Sequence, residues 1–363
     1  MDSAVLPKST YIYGEGEIEN LAEHVKPYGT KSFIIIDSLL VETITQKIRK
    51  SFMRALSSYR IASASEACNG VFTERLLKEA EDFDHVIGIG NGCTLDIAKG
   101  IAHIKGSPFI LIPFITFTNA SCGTYSDNFA KDYAIYAQDP DMIIIDNQAI
   151  ADAPVPFIVK GIENTLSVYY EIRAALRYSS QVSSREDIMS CQLMRLQKCY
   201  EQLLENGVQA IKDVEKNFVT PQLERAIRAC LYINYSYYSQ EGISVHSRYA
   251  VIHAVCNGLA KMKSAAREED ISFATLVLLV LENVNTSELF QVLAFFWELG
   301  LPIRLEDIGI QDIDADCLRE IAKSICAQKT MFGNRYLEPA EIVAAIVTAD
   351  SLGMQYIIKK NDN

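Results

Sequence analysis

The sequence is poor in the residues and patterns that mark metal, nucleic-acid and membrane proteins. It has only five histidines, and its 34 Lys and Arg are outnumbered by 46 Asp and Glu, for a net charge of −12. This balance argues against a phosphate-backbone binder, because such binding depends on clustered cations. No apolar run reaches the ~18 residues of a membrane span. With no export signal in the first residues, we expect a cytoplasmic protein without nucleic-acid or membrane partners.

The nine cysteines form no C-x-x-C pair, their number is odd, and their spacing is scattered. A disulfide framework or a zinc ribbon would need paired and regular spacing. We therefore predict buried thiols that stay reduced.

The chain divides into a mixed first part and a helical second part. Four continuous apolar runs predict buried strands at residues 32–37, 85–90, 109–114 and 142–150. Helical spacing dominates from residue 159 onward, as in residues 186–217, with Gly207 and Asn217 near the expected ends, and in residues 338–360. We predict an α/β domain with a parallel sheet over residues 1–155 and an all-α domain over residues 156–363.

A glycine-rich turn follows the second of these strands, in "HVIGIGNGCTLDIAKG" at residues 85–100. Gly88, Gly90 and Gly92 there would let the backbone approach a pyrophosphate at a helix start. The spacing is not G-x-G-x-x-G, so a turn without a ligand stays open, although the strand-to-helix context favours phosphate binding. Asp37 ends the first strand, where a carboxylate can bind a ribose diol and disfavour NADP. A surface Asp that caps the next helix is an equal alternative.

Several long stretches share the pattern of one known family. They are "IGIGNGCTLDIAKG", "LIPFITFTNASCGTYS", "DPDMIIIDNQAIADAPVPFIVKGIENTLSVYYE", "AVIHAVCNGL" and "EIVAAIVTADSLG". Together they resemble the glycerol dehydrogenase branch of the iron-containing alcohol dehydrogenase family, nearly end to end. The resemblance implies a dinucleotide-binding domain, a helical domain, an active-site cleft between them, and a homo-oligomer. It implies that NAD contacts these residues besides Asp37: Gly90, Asn91, Gly92, Asp96, Lys99, Thr116, Thr118 and Asn119.

The chain departs from this family at the positions that would hold its divalent metal. The resemblance implies one Asp and two His ligands. Here Asn164 occupies the Asp position, His253 is retained, and Arg267 lies nearest the second His position. Asn is a weak neutral ligand and Arg cannot ligate a cation, so we expect no zinc or iron site. A rearranged site from Glu163, His246 and His253 is a weaker alternative, because adjacent helix residues point in different directions.

These departures lead to three hypotheses of function. We favour a metal-independent, NAD-dependent reductase or dehydrogenase for a small anionic substrate. Asn119 and Asn164 stand where the resemblance implies Asp, and Arg267 adds a positive charge, so the site becomes more positive. Maleylacetate reductases of the wider family resemble the chain and are regarded as working without metal. His253 would donate the proton, with Tyr125 or Tyr170 as the second candidate. The alternatives are a noncatalytic nucleotide-binding relative and a metal-dependent glycerol-type dehydrogenase with unusual ligands.

Overall fold

The computed structural model describes residues 9–64, 70–114, 125–126, 134–135, 139–179, 186–238, 251–261, 271–311, 314–328, 331–332 and 335–361. The chain forms two compact units, of which the first comprises residues 1–162 with 209–241 and the second residues 163–208 with 242–363. The first unit therefore takes in a helical segment from the C-terminal half of the chain. The single boundary near residue 155 stays a prediction.

The strands and helices of the described residues follow in chain order. The strands are β1 (Thr10–Gly14), β2 (Lys31–Asp37), β3 (Ser58–Ala64), β4 (His85–Gly90), β5 (Phe109–Pro113), β6 (Tyr125–Ser126), β7 (Ala134–Ile135), β8 (Met142–Asp146), β9 (Met331–Phe332) and β10 (Arg335–Tyr336). The helices are α1 (Leu21–Val25), α2 (Val41–Ala55), α3 (Gly70–Glu79), α4 (Gly92–Lys105), α5 (Asn147–Ala151), α6 (Val155–Ser179), α7 (Glu186–Val214), α8 (Pro221–Tyr238), α9 (Val251–Ala260), α10 (Ile271–Leu281), α11 (Thr286–Glu298), α12 (Ala315–Ala327) and α13 (Pro339–Asn361).

The first unit is built on a parallel sheet of six strands in the order β1-β8-β5-β4-β2-β3. Its central strands are buried on both faces, as their continuous apolar runs predict. One face packs against α2 through Ile44 and Ile48, and the other packs against α4 through Leu95 and Ala98. The predicted α/β class with a parallel sheet is confirmed.

Two element boundaries differ from the prediction. The strand expected over residues 142–150 ends at Asp146, whose side chain accepts hydrogen bonds from the N–H groups of Gln148 and Ala149 and so starts α5. Gly207 lies buried within α7 and does not end it. A glycine costs a helix only about 1 kcal/mol, which packing of the neighbouring buried positions offsets. Asn217, with φ 56, does lie at the turn that follows the helix.

The second unit is organised around the apolar helix α10. This helix packs against α9, α11 and α13. By length and composition alone, α13 would suffice to cross a membrane, a test that core helices of globular proteins also pass. It packs against α10 and α12 and buries Ile342, Ala345, Ile346 and Ala349. We therefore interpret α13 as a core helix of this unit.

Candidate active site

The carboxyl ends of β2 and β4 mark the point where the chain reverses direction across the sheet. The two strands are neighbours, with Ile36 opposite Ile89. From β2 the chain continues to β3 on one side, and from β4 it continues to β5 on the other. The following helices, α2 and α4, cover opposite faces. Open α/β sheets bind ligands at such a switch point.

Asp37 ends β2 at this point, and its side chain is 4 % exposed. Its Oδ1 accepts a hydrogen bond from Leu39 N at 3.0 Å, which caps the 3-10 turn Ser38–Leu40. Its Oδ2 is buried and has no hydrogen-bond partner. The alternative interpretation of Asp37, a surface residue that caps the next helix, is therefore correct about the cap and wrong about the surface position. Because an unpaired buried carboxylate oxygen is costly, Oδ2 is suited to accept a ligand hydroxyl.

The glycine turn lies directly against Asp37. Gly90 has φ 144, and a Cβ on it would lie 2.6 Å from the Asp37 Cβ, so only glycine fits there. Asn91, which stands where the family resemblance implies a glycine, is the N-cap of α4, and its side chain accepts a hydrogen bond from Thr94 N at 3.1 Å. The helix begins at Gly92. Asn91 therefore gives α4 a well-formed helix start, where anions bind.

The remaining predicted cofactor residues fall into two groups. Asp96 and Lys99 are buried on α4, with Lys99 Nζ 3.9 Å from Asp96 Oδ1, and Gly88 allows α4 to pack on β4 beside Ala98. Their contact with a cofactor stays a prediction. The others, Thr116, Thr118 and Asn119, lie outside the described part of the chain. So does the side chain of Tyr125, the second candidate proton donor, of which only the backbone in β6 is described.

Cys93, the second residue of α4, is disulfide-bonded. The prediction that every thiol stays reduced is therefore wrong at this position. Among the described residues, Cys199, Cys230, Cys256, Cys317 and Cys326 are free thiols, as predicted. Only Cys230 and Cys256 are buried, so the predicted burial is wrong for the other three, which are partly exposed.

In the second unit, Asn164 lies on α6 and is half-buried. Its side-chain Oδ1 is buried and accepts no hydrogen bond, whereas its backbone carbonyl accepts one from Ser167 Oγ at 2.6 Å. The amide therefore keeps an unused acceptor at the position where the family resemblance implies an Asp ligand.

His253 lies on α9, and its ring is half-exposed. Its Nδ1 is 3.5 Å from Oε1 of Glu171, a carboxylate on α6 whose side chain is 1 % exposed. The sequence analysis missed Glu171. Two signals could have found it: a lone acid in the apolar segment "VYYEIRAAL", and a spacing of seven from Asn164, which places both residues on one helix face.

The described residues of this region do not fit a divalent cation. Glu163, the first residue of a rearranged site, accepts a hydrogen bond from Ser272 N at 2.8 Å and so caps the start of α10. No three His, Cys, Asp or Glu side chains among the described residues come together as ligands. His246 and Arg267 lie outside that part of the chain. A neutral amide, one imidazole and one carboxylate are a weak ligand set for zinc or iron.

Tyr170 belongs to the core of the second unit. It is fully buried, its hydroxyl donates to Tyr200 Oη at 2.7 Å, and burial raises its pKa well above the usual value of 10.0. The Arg173 guanidinium lies 4.6 Å from its ring and also pairs with Glu282 and Glu288. Tyr170 as a second proton donor is therefore wrong.

Comparisons with known proteins identify the class and the family. Residues 7–147 match the family profile described as iron-containing alcohol dehydrogenase. A glycerol dehydrogenase of Escherichia coli O6:H1 is 31% identical over 369 residues, covering 98% of this chain and 99% of the relative. The solved glycerol dehydrogenase of Schizosaccharomyces pombe superposes with a TM-score of 0.81 at 23% identity, over 99% of this chain and 93% of that chain. A maleylacetate reductase from Agrobacterium tumefaciens shares the fold, with a TM-score of 0.68 at 16% identity, over 96% and 97% of the two chains.

The fold and these relatives define an oxidoreductase with a parallel-sheet domain and a helical domain. The chain belongs to the iron-containing alcohol dehydrogenase family, and it is similar over its full length to glycerol dehydrogenases.

Proposed function

We propose that this chain is an NAD(H)-dependent oxidoreductase that interconverts a carbonyl and a hydroxyl group on a small anionic substrate without a bound metal. The observation that carries the dinucleotide assignment is the buried, unpartnered Oδ2 of Asp37 beside Gly90. A ribose diol would supply the missing donor, and the start of α4 would face the pyrophosphate. The same carboxylate would repel a 2′-phosphate, which favours NADH over NADPH.

The proposed reaction balances as one hydride and one proton. In reduction, the hydride moves from the nicotinamide to the carbonyl carbon, and the imidazolium form of His253 gives its Nε2 proton to the carbonyl oxygen and becomes neutral. The imidazole then regains a proton from solvent. General acid catalysis supplies ~10²–10⁴-fold, which suits an activated ketone better than an unactivated alcohol. Asn164 Oδ1 would accept a hydrogen bond from a substrate hydroxyl, and Tyr125 is retained as a further candidate donor.

The anionic substrate class is supported by charge rather than by the names of relatives. Two similar relatives, from Escherichia coli O6:H1 and Pseudomonas putida, are named for glycerol, which is neutral. The family resemblance implies an acid at position 164, where this chain has a neutral amide, and it places the permanent cation Arg267 nearest the position of the second His ligand. A guanidinium binds a carboxylate through two parallel hydrogen bonds, so a keto acid or hydroxy acid fits these changes.

The test compares 2-oxo acids with their methyl esters, which keep the carbon skeleton and lose the charge. With NADH as reductant, we expect a higher kcat/KM for the acids. Arg267→Ala should lower kcat/KM for the acids by ~10- to 100-fold, as expected for loss of ~1.5–3 kcal/mol of charged hydrogen bonding, and should leave the esters unchanged. Arg319→Ala, at a guanidinium 61% exposed, is the matched control.

Two outcomes would contradict the proposal. Stoichiometric zinc or iron in the purified protein, with turnover lost when the metal is stripped and restored when it is returned, would establish a metal-dependent dehydrogenase. Tight NADH binding without turnover of any acid, ester or polyol would establish a noncatalytic relative.

A further inference from the structure

Glu171 is a buried acid that forms an ion-pair contact with His253 in the described part of the chain. Its side chain is 1% exposed, and Oε1 accepts no hydrogen bond but lies 3.5 Å from His253 Nδ1. Buried carboxylates are almost always paired, because burial disfavours the charge. The next cation on the same helix, Arg173, is directed to Glu282, with 2.6 Å between Nη2 and Oε2, and to Glu288.

The pairing gives the two nitrogens of the imidazole different surroundings. Nδ1 faces the buried carboxylate, while the ring as a whole is 50% exposed. A carboxylate beside Nδ1 holds the proton on that nitrogen and leaves Nε2 as the nitrogen that exchanges protons with a ligand. Glu171 lies on α6 and His253 on α9, so the backbone on each side of the contact is held in a helix.

We propose that Glu171 is a positioning residue, which orients His253 and keeps a proton on its Nδ1, so that Nε2 is the nitrogen that exchanges a proton with the substrate oxygen. This role rests on the proposed function. In reduction, the imidazolium form of His253, protonated on both nitrogens, breaks its Nε2–H bond as the new O–H bond forms, and the neutral ring that remains keeps its Nδ1 proton toward Glu171. Glu171 touches neither substrate nor cofactor in this role.

The first test reads the tautomer directly and does not require turnover. With ¹⁵N-labelled histidine, the chain gives signals from only five rings. At a pH where the ring is neutral, we expect the Nδ1–H form of His253 in the wild type and a shift toward Nε2–H in Glu171→Gln. Glu163→Gln is the matched control, because this other buried acid of α6 binds a backbone N–H of α10 instead. It should lower stability and leave the His253 tautomer unchanged.

The second test reads catalysis. Glu171→Gln should lower kcat by about tenfold or more, within the ~10²–10⁴-fold span of the whole proton transfer, with little change in KM for NADH. Glu171→Asp should recover part of that kcat. In His253→Gln, adding Glu171→Gln should cost no further kcat, because the residue acts only through the imidazole.

The outcomes separate the two proposals. An unchanged tautomer and unchanged kcat in Glu171→Gln would overturn the positioning role, as would loss of a bound metal in that variant. A shifted tautomer in a protein that turns over no substrate would uphold the contact between Glu171 and His253 and would overturn the proposed function instead.

Discussion

Replacing Asp37 by Asn should weaken NADH binding and reduce the preference for NADH over NADPH. The substitution keeps the shape and the Oδ1 acceptor that caps the following turn through Leu39 N. It replaces the buried, unpartnered Oδ2 with an NH2 group, which cannot accept a hydrogen bond. Any effect on binding therefore reports the free oxygen and its charge, and not the cap.

The expected size follows from one hydrogen bond between a ribose hydroxyl and a charged acceptor. Such a bond contributes about 1.5–3 kcal/mol, and about 1.4 kcal/mol corresponds to tenfold in Kd. Asp37→Asn should thus raise the Kd for NADH by ~10- to 100-fold. The Kd for NADPH should change little or fall, because the repulsion between the carboxylate and the 2′-phosphate is lost. Isothermal titration calorimetry with both nucleotides measures the two constants.

Asp146 provides the control, since it also ends a parallel strand and is 1% exposed. Both of its oxygens accept backbone N–H groups, at 2.9 Å from Gly16 and 2.8 Å from Ile18. Asp146→Asn should lower the free energy of unfolding and leave the ratio of the two Kd values as in the wild type. If Asp37→Asn binds NADH as tightly as the wild type, Oδ2 does not bind the ribose and the cofactor assignment loses its support.

Two further predictions concern stability. Burial lowers the pKa of His85 below its usual 6.5, so the folded state favours the neutral imidazole. This contribution to stability is fully present above about pH 6.5. It is lost as the pH falls through the lowered pKa of the folded state. The unfolding free energy of the wild type, measured with urea, should therefore fall more between about pH 7 and 5 than that of His85→Gln. His103→Gln, at an exposed position, is the control and should follow the wild type. An equal dependence of the unfolding free energy on pH in the wild type and His85→Gln would contradict this. Arg173→Met, which removes the guanidinium that pairs with Glu282 and Glu288, should cost about 3–5 kcal/mol in urea unfolding, and a loss below about 1 kcal/mol would show that this pairing contributes little to stability.

Local patterns predicted the strands and helices well, because the spacing of apolar residues that marks each of them is visible within a short stretch of sequence. The apolar run before Asp37 and the "HVIGIG" run became neighbouring strands of one sheet. That they lie side by side at the switch point could not be predicted from their spacing, since the chain visits β3 between them. The end of β8 at Asp146 was missed although its cause is local, because Asp146 caps α5 through the N–H groups of Gln148 and Ala149.

Single residues of the candidate site could be named from the sequence. Contacts between residues on two helices that are distant in the sequence could not. His253 and Asn164 were named from their family positions, and their roles stay predictions. The contact of His253 with Glu171 depends on two helices, α6 and α9, that are distant in the sequence, and Glu163 as a cap depends on where α10 begins. Such pairings lie about 80 to 110 residues apart in the chain, beyond the reach of any local pattern.

The hydrogen bond from Ser272 to Glu163 also restricts the evolutionary routes open to this chain. A carboxylate at the family's Asp position needs only the change of Asn164 to Asp, which a single base change in the codon can achieve. Recruiting the neighbouring Glu163 instead would strip the start of α10 of its acceptor, and that helix lies at the centre of the second unit. A metal site that used Glu163 would therefore lower the stability of the second unit, whereas one that used residue 164 would leave the start of α10 unchanged.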